Sequence, residues 1–367
     1  MKAYTNLAII LGMLLLVIAI PAANTQASRG EPGSMEFGYG ASISLNGPYL
    51  QQALEAADNL GLDWISVDLN WSLYDPETVP EADWSTLDQI INHASAHRIS
   101  VMLSITQAPE HVITKQGPDP EKTAELVSWL VNRYPGGLNA IELFPGANTL
   151  HGWGTPPDPQ AYAKLLSIVQ AKLAELDPSI ILILGGLQPL ASGSGKGMND
   201  LDYLQGIYDA GIGSPCDVIS VQLSNLTDQP LTAPDPEEHR ILRHYEEIRQ
   251  IMLKNQHENG LIWITHLNAP SGKIKKEDRI YRDPVKQAEW LVQAYTQLRA
   301  QLYIGAAFFE SINPVNAQDE SRRTLLIENA APHPFLNSLR NLIAENAPDQ
   351  AIFARGRPKG SELVKRR

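Results

Sequence analysis

Residues 141–148 read Ile-Glu-Leu-Phe-Pro-Gly-Ala-Asn, a short apolar run that ends at a Pro-Gly pair. An apolar run of this length, bounded by turn-forming residues, is typical of a strand that is buried on both sides. The run therefore predicts a strand that leads directly into a loop. One ionisable residue, Glu142, lies inside the run.

Seven other runs of the same kind occur along the chain, and amphipathic segments separate them. The strand candidates are residues 37–44, 64–71, 100–106, 140–144, 180–187, 217–223, 261–267 and 303–309. The helix candidates are residues 49–60, 84–97, 121–134, 159–176, 201–209, 236–255, 284–301 and 334–343. Several helices open with Asp-Pro or His-Pro, where Pro takes the first helical position after a capping residue.

Eight strand-helix pairs in about 310 residues predict an α/β protein of one domain, a (β/α)₈ TIM barrel. Near-continuous apolar strands fit a parallel sheet that helices cover. A doubly wound open sheet is the alternative, but no Gly-x-Gly-x-x-Gly motif follows the first strand, so dinucleotide binding has no support. In a barrel, functional residues are expected at the C-terminal ends of the strands.

The composition indicates a soluble protein with one large core. The chain has 367 residues, of which 43% are hydrophobic, and a formal net charge of −12. This negative charge argues against nucleic-acid binding, which needs clustered Lys and Arg. The single cysteine, Cys216, excludes an internal disulfide and a thiolate metal cage, and we predict a buried structural thiol. No cofactor is expected.

The two ends of the chain differ from the barrel region. Lys2, the apolar run 7–20 and the small residues that follow it resemble a secretory signal, so residues 1–27 are predicted to be a signal peptide or, if retained, a membrane anchor. The run is 14 residues long, short of the roughly 20 that span a bilayer. Residues 28–35 are predicted to be a linker, residues 36–346 the barrel, and residues 347–367 a disordered basic tail. The protein is expected to be secreted or extracytoplasmic.

Two of the βα units resemble those of clan A glycoside hydrolases, in particular families 5 and 39, of the cellulase and β-xylosidase type. The second unit carries Trp64 to Trp71, Asp75-Pro76 and Asp83-Trp84. The fourth carries residues 141–148 and then His151-Gly-Trp153, Pro159, Tyr162 and Gly185-Gly186. Trp263 to His266 is similar to the seventh strand. The resemblance covers nearly the whole chain after the signal segment.

The departures from the family pattern coincide with its catalytic residues. The resemblance places the family's acid/base Glu at Gly146, its nucleophile Glu at His266, a supporting Arg at Ser66 and a sixth-strand His at Gln222. Retaining hydrolysis requires two carboxyl groups about 5 to 5.5 Å apart, and Gly and His cannot replace them. The resemblance therefore implies a glycoside hydrolase scaffold without standard retaining activity.

Other polar residues near the predicted strand ends are candidates for a relocated acid. These are Glu310, Asp68 and Glu110, whereas Glu142 is expected one layer deeper as a buried structural carboxylate. His151 and His266 have no third ligand at a recognisable spacing, so no metal site is predicted.

A carbohydrate site would depend on aromatic rings that stack on sugars and on polar groups that orient them. The predicted binding residues are Trp71, Phe144, Asn148, His151, Trp153, Thr265, His266 and Phe309. The expected partner is an oligo- or polysaccharide, with no nucleic acid, and with membrane contact only through an uncleaved N-terminal segment. Two alternatives remain open, an active glycosidase with relocated carboxylates and a structural or interaction module of the cell envelope.

Overall fold

The computed structural model describes residues 27–80, 82–193, 195–211, 213–223, 226, 229–233, 240–270, 283–313, 325–326 and 333–345. The predicted signal segment and the predicted basic tail lie outside this range, apart from residue 27. Within it, no helix is both long and apolar enough to cross a membrane.

Eight parallel strands close into a barrel in which sequence neighbours pair and the first strand pairs with the last. The strands are β1 (Gly38–Ser42), β2 (Trp64–Asn70), β3 (Ser100–Thr106), β4 (Ala140–Leu143), β5 (Ile181–Leu187), β6 (Val218–Gln222), β7 (Leu261–Leu267) and β8 (Ile304–Phe309). This is the predicted single-domain (β/α)₈ TIM barrel. The open doubly wound sheet is wrong, because hydrogen bonds join β1 to β8 and leave no sheet edge.

One long helix follows each strand and covers the outside of the barrel, and a short helix, Leu150–Trp153, lies between β4 and the long helix that follows it. The helices are α1 (Leu50–Leu60), α2 (Ser85–His97), α3 (Pro120–Arg133), α4 (Pro159–Leu176), α5 (Asp200–Asp209), α6 (Tyr245–Lys254), α7 (Pro284–Arg299) and α8 (Phe335–Glu345). The predicted Asp-Pro starts are present at α3, α4 and α7, where the Asp side chain accepts hydrogen bonds from backbone N–H groups of the first turn.

Residues 236–239 of the predicted helix over residues 236–255 lie outside the described residues, and over residues 240–244 the prediction of a helix continuous with the rest is wrong. Residues 242–244 form a 3₁₀ turn, and α6 begins only at Tyr245. The apolar residues Ile241 and Leu242 extend the helical pattern in the sequence, but they are buried just before and at the start of the 3₁₀ turn. Apolar periodicity alone does not separate these two kinds of burial.

Aromatic side chains fill the N-terminal half of the barrel interior. The rings of Trp64 and Trp263 lie 4.7 Å apart between centroids, and Phe308 packs against both. Each indole N–H needs an acceptor when buried. Trp64 Nε1 donates to the Arg29 carbonyl at 2.7 Å, and Trp263 Nε1 donates to the Gly30 carbonyl at 3.0 Å. The barrel is therefore a packed core at this end.

These two hydrogen bonds hold residues 28–36 across the N-terminal end of the barrel. The segment turns back on itself through a hydrogen bond from Gly30 N to Glu36 O of 2.7 Å. Arg29 forms ion pairs with Asp63 at 3.2 Å and with Glu36 at 3.3 Å. The segment that the sequence presents as a Gly- and Ser-rich linker thus closes the bottom of the barrel.

Candidate functional site

A cavity of about 200 Å³ opens at the C-terminal ends of the strands, where the sequence predicts the functional residues. It is lined by Asp68, Thr106, Gln107, Pro145, His151, Gly152, Gln222 and His266. Six of the eight come from the ends of five strands or the residues that follow them, and His151 and Gly152 lie on the short helix Leu150–Trp153 after β4, so barrel closure is what brings them together. The lining is mostly polar. We call this cavity, with its eight lining residues, the mouth.

The charged pair in the mouth consists of Asp68 on β2 and His266 on β7. His266 Nε2 lies 3.7 Å from Asp68 Oδ2, and the two side chains are 23% and 53% exposed. Burial lowers the pKa of His266, but the contact with Asp68 and the charges of Glu142 and Glu310 outweigh burial and raise that pKa to about 9. His266 is therefore a cation at neutral pH.

The backbone at the mouth is held in uncommon conformations. Gln107, Phe144 and His266 have φ values of 51°, 49° and 56° in the left-handed region. The other non-glycine residues with positive φ in the described ranges, at positions 49, 98 and 256, lie at helix ends. Strained conformations away from helix caps are concentrated at binding and catalytic sites. Two of these three residues, Gln107 and His266, line the mouth.

Beneath the mouth lies a carboxylate with no solvent exposure. Glu142 accepts hydrogen bonds from the hydroxyls of Ser104 and Ser220, and its Oε1 accepts a third from the Gly186 N–H at 2.8 Å. With these three donors the charge is satisfied within the barrel. Glu142 is the buried structural carboxylate that the sequence predicts, one layer below the strand ends.

The two positions that the resemblance assigns to catalytic carboxylates lie at the same end of the barrel. Gly146 follows β4 and His266 lies near the end of β7. Gly146 is buried, its φ is 78°, and its N–H donates to the Gly186 carbonyl at 2.7 Å. His266 reaches the mouth directly, whereas on the β4 side it is Pro145 that lines the cavity.

The four aromatic residues predicted to stack on sugars are buried. Trp71 is 3% exposed, and Phe144, Trp153 and Phe309 are each 1% exposed. Phe144 packs against Trp71 at 6.5 Å and Trp153 at 5.9 Å between ring centroids, and Phe309 packs against Phe335 at 5.6 Å. The prediction of stacking rings is therefore wrong. An aromatic residue at a strand end can pack in the core beneath the helices or face the mouth. The residue type alone does not distinguish these two positions.

Two of the predicted hydrogen-bonding residues are occupied within the fold. Asn148 has no exposure, donates to the carbonyls of Gln188 and Met198 at 2.8 and 3.0 Å, and accepts from Gln188 N at 2.9 Å. Thr265 is 1% exposed and its hydroxyl is 3.4 Å from the Val221 carbonyl. Both side chains bond to backbone next to strand ends, and neither lines the mouth. Of the predicted binding residues, His151 and His266 line the mouth.

The candidates for a relocated acid are spread over different surroundings. Asp68 lines the mouth. Glu310 is partly buried just after β8 and accepts a hydrogen bond from Asn268 Nδ2 at 2.9 Å. Glu110 is exposed on a 3₁₀ turn and does not line the cavity. Among the described residues no group of three His, Cys, Asp or Glu side chains could hold a metal ion.

Sequence reasoning missed Thr106 and Gln107 as mouth residues. Gln107 Nε2 lies 3.1 Å from His151 Nε2, which joins the end of β3 to the loop after β4. Their position at the end of a predicted strand was the available signal, but neutral polar residues are also common in ordinary loops.

Solved structures of glycoside hydrolases share this fold. A glucosidase from Croceicoccus marinus aligns with a TM-score of 0.62 at 13% identity, over 87% of this chain and 70% of its own. Xylanase 10B from Thermotoga petrophila RKU-1 aligns at 0.59 and 14% identity, over 85% and 95%. A family 39 glycoside hydrolase from the gut symbiont Bacteroides cellulosilyticus WH2 aligns at 0.58 and 16% identity over 83% of this chain, which spans 62% of that enzyme's length.

At the sequence level no protein-family model matches the chain, and no curated protein matches it either. The structural likeness agrees with the fold that the sequence predicts, a (β/α)₈ barrel. At these identities the likeness establishes the fold alone.

Proposed function

We propose that this protein binds carbohydrate at the mouth of the barrel and lacks the retaining glycosidase activity of enzymes with the same fold. The observation that carries the proposal is the chemistry of two strand ends. Gly146 and His266 occupy the positions that the sequence resemblance assigns to the catalytic pair, and neither supplies a carboxyl group. The double-displacement mechanism needs one carboxyl as acid and the other as nucleophile.

The surroundings of His266 also make its imidazole unsuitable as a nucleophile in place of the family's Glu. At neutral pH its pKa of about 9 leaves the imidazole protonated, so that it has no lone pair with which to attack a sugar. A protonated imidazole instead donates hydrogen bonds, and sugar hydroxyls accept them.

The mouth supports binding through hydrogen bonds more than through stacking. Asp68, Gln107, His151, Gln222 and His266 supply acceptors and donors around one cavity, while the nearby rings are buried. Its volume of about 200 Å³ is below the roughly 300 to 1,000 Å³ of sites for larger ligands. We therefore propose that the mouth holds a single sugar unit, such as the end of a glycan chain, with modest affinity.

The proposed location is outside the cytoplasm. The apolar run 7–20 after Lys2 supports export, since it has the charge, length and following small residues of a secretory signal. Fractionation of cells that express the full chain tests this proposal, and recovery of all the protein in the cytoplasm would contradict it.

A binding titration tests the mouth. We expect calorimetry to detect binding of at least one of the β-linked glucan, xylan or mannan fragments, and Gln222→Ala to weaken it about tenfold, because one buried hydrogen bond is lost. Gln51→Ala, an exposed change on α1, is the matched control and leaves affinity unchanged. If no fragment binds, or if both variants behave like the original protein, the structural module becomes the better hypothesis.

A turnover assay tests the loss of catalysis. We expect no release of aglycone from aryl β-glycosides, and no shortening of β-linked oligosaccharides, above the rate without protein. Release that disappears in Glu310→Gln or in Asp68→Asn would show that the acid has moved, and would replace the proposal with an active glycosidase.

A further inference from the structure

The two most exposed large apolar side chains among the described residues lie on one groove. Met35 is 83% exposed and Leu302 is 80% exposed. Met35 precedes β1 and Leu302 lies between α7 and β8, so both belong to the N-terminal end of the barrel. They line a groove of about 320 Å³ together with Phe37 and Ile304. This N-terminal face lies opposite the mouth.

The chain enters the barrel across the same face. Residues 28–36 are held there by the indole N–H groups of Trp64 and Trp263, which donate to the carbonyls of Arg29 and Gly30. Residue 27 is seven residues beyond the end of the apolar run 7–20. Seven residues span at most about 25 Å. A surface that holds the apolar run therefore cannot be far from Met35 and Leu302.

The groove is also compatible with an uncharged surface. Arg29, Glu36 and Arg299 also line it, but the Arg29 guanidinium is paired with Asp63 and Glu36, and Arg299 hydrogen-bonds the Tyr39 side chain. No strong attraction to anionic lipid is needed, and the net charge of −12 does not favour one. Met35 and Leu302 are the exposed apolar side chains that this groove offers to such a surface.

We propose that the apolar run 7–20 is retained as an anchor and that the N-terminal face rests on a lipid bilayer, with Met35 and Leu302 in the interfacial region and the mouth directed away from the membrane. The apolar run of 14 residues is shorter than the roughly 20 of a spanning helix. A weak anchor needs a second contact for stable attachment, and the two apolar side chains supply it. The orientation leaves the mouth open to a glycan outside the cell, but it does not depend on what the mouth binds.

Site-specific fluorescence tests this orientation on the full chain. Cys216 is 2% exposed, so an introduced cysteine is the accessible one for labelling among the described residues. We would place an environment-sensitive fluorophore on Met35→Cys and Leu302→Cys and add phosphatidylcholine vesicles. The matched controls are Leu73→Cys, in the loop after β2, and Leu150→Cys, at the start of the short helix after β4; the two leucines are 55% and 58% exposed and lie at the mouth end.

We expect the emission at positions 35 and 302 to increase at least twofold and to shift to shorter wavelength with vesicles, and a lipid-attached quencher to reduce it. Positions 73 and 150 should not respond. Equal responses at all four positions, or none at 35 and 302, would overturn the proposal. Short-wavelength emission at 35 and 302 before lipid is added would overturn it too, because residues 1–26 or a second copy then cover the groove. Because Cys216 is buried in the folded protein, its labelling would reveal a variant that has unfolded. Positions 35 and 302 are labelled in separate variants, so each tests the orientation independently.

Discussion

Glu142 shows how one residue in the barrel depends on partners that are far away in sequence. Ser104 and Ser220 are 38 and 78 residues from it, and their hydroxyls donate to its two carboxylate oxygens. The Gly186 N–H completes the set at 2.8 Å. A charged group without solvent exposure is tolerated only when it is hydrogen-bonded. This arrangement makes the residue structural even though it is an acid below the mouth.

We expect Glu142→Ala to lower the free energy of unfolding by about 3 kcal/mol, because it leaves two hydroxyls and an amide without an acceptor and creates a cavity. Glu142→Gln retains one acceptor and most of the volume, so its effect should be smaller. Urea unfolding followed by tryptophan fluorescence measures both. Glu110→Ala, an exposed change, is the control and should stay within about 0.5 kcal/mol. Equal stabilities for Glu142→Ala and Glu110→Ala would contradict the structural role.

At the scale of elements, a buried histidine joins the start of α5 to the start of α6. His244 Nε2 lies 2.6 Å from Asp200 Oδ2, and its Nδ1 lies 2.7 Å from Glu247 Oε2. Burial lowers the pKa of His244, but the two carboxylates outweigh it and raise that pKa to about 9. Asp200 is the first residue of α5, so the contact fixes that helix against the loop before α6.

Because the pKa of His244 in the folded protein is above its ordinary value of 6.5, its stabilising effect is complete below about pH 6.5 and is lost as the pH rises through about 9. We expect the unfolding free energy of the original protein to fall between pH 7 and pH 10 more steeply than that of His244→Gln. At pH 7 the variant should be less stable by about 3 kcal/mol, since the buried carboxylate of Asp200 and the partly exposed one of Glu247 lose their cation.

His97→Gln is the control for this experiment. His97 contacts Asp58 at 3.0 Å, but its side chain is 38% exposed, so solvent weakens the pair. Thermal unfolding at several pH values compares the three proteins, and titration of all other groups, including His266, cancels in the difference. If the unfolding free energies of the original protein and His244→Gln change with pH in parallel, His244 is not protonated in its contact with Asp200 and Glu247, and the prediction is wrong.

At the scale of the whole molecule, closure of the barrel brings the ends of β4 and β7 to one end although they are more than a hundred residues apart in sequence. The reversal Gly146→Glu with His266→Glu tests whether they flank one site. We expect release of aglycone from aryl β-glycosides that is measurable but weak. Gly146 has a φ of 78°, and a Cβ there would lie 3.2 Å from Gln188 Nε2, so the new Glu is strained.

The double variant Gly146→Gln with His266→Gln is matched in volume and lacks both carboxyl groups. The ratio of the two rates therefore isolates the contribution of the carboxylates. Identical rates in two folded variants would show that the positions do not form a catalytic pair, and would contradict the assignment of Gly146 and His266 to the family's catalytic positions.

Most of the fold could be predicted from the sequence, because the spacing of apolar residues in strands and helices is a local property of the chain. The predicted strand over residues 261–267 has the bounds of β7, and Asp119 and Asp158 cap α3 and α4 as their Asp-Pro pairs indicate. Where local pattern and tertiary burial diverge, as before Tyr245, the prediction failed. The site was less predictable, since Trp153 and Asn148 have the residue types of a sugar site but have no access to the mouth.

By itself the sequence determined the (β/α)₈ barrel, the absence of carboxyl groups at positions 146 and 266, and the apolar N-terminal run. The tertiary structure decided which polar groups line the mouth, that the nearby rings are core, and that residues 28–36 close the opposite end. The physical reason is that periodicity records whether a side chain is buried, and not which neighbours bury it. Those neighbours are set when strands distant in the chain pair and the barrel closes.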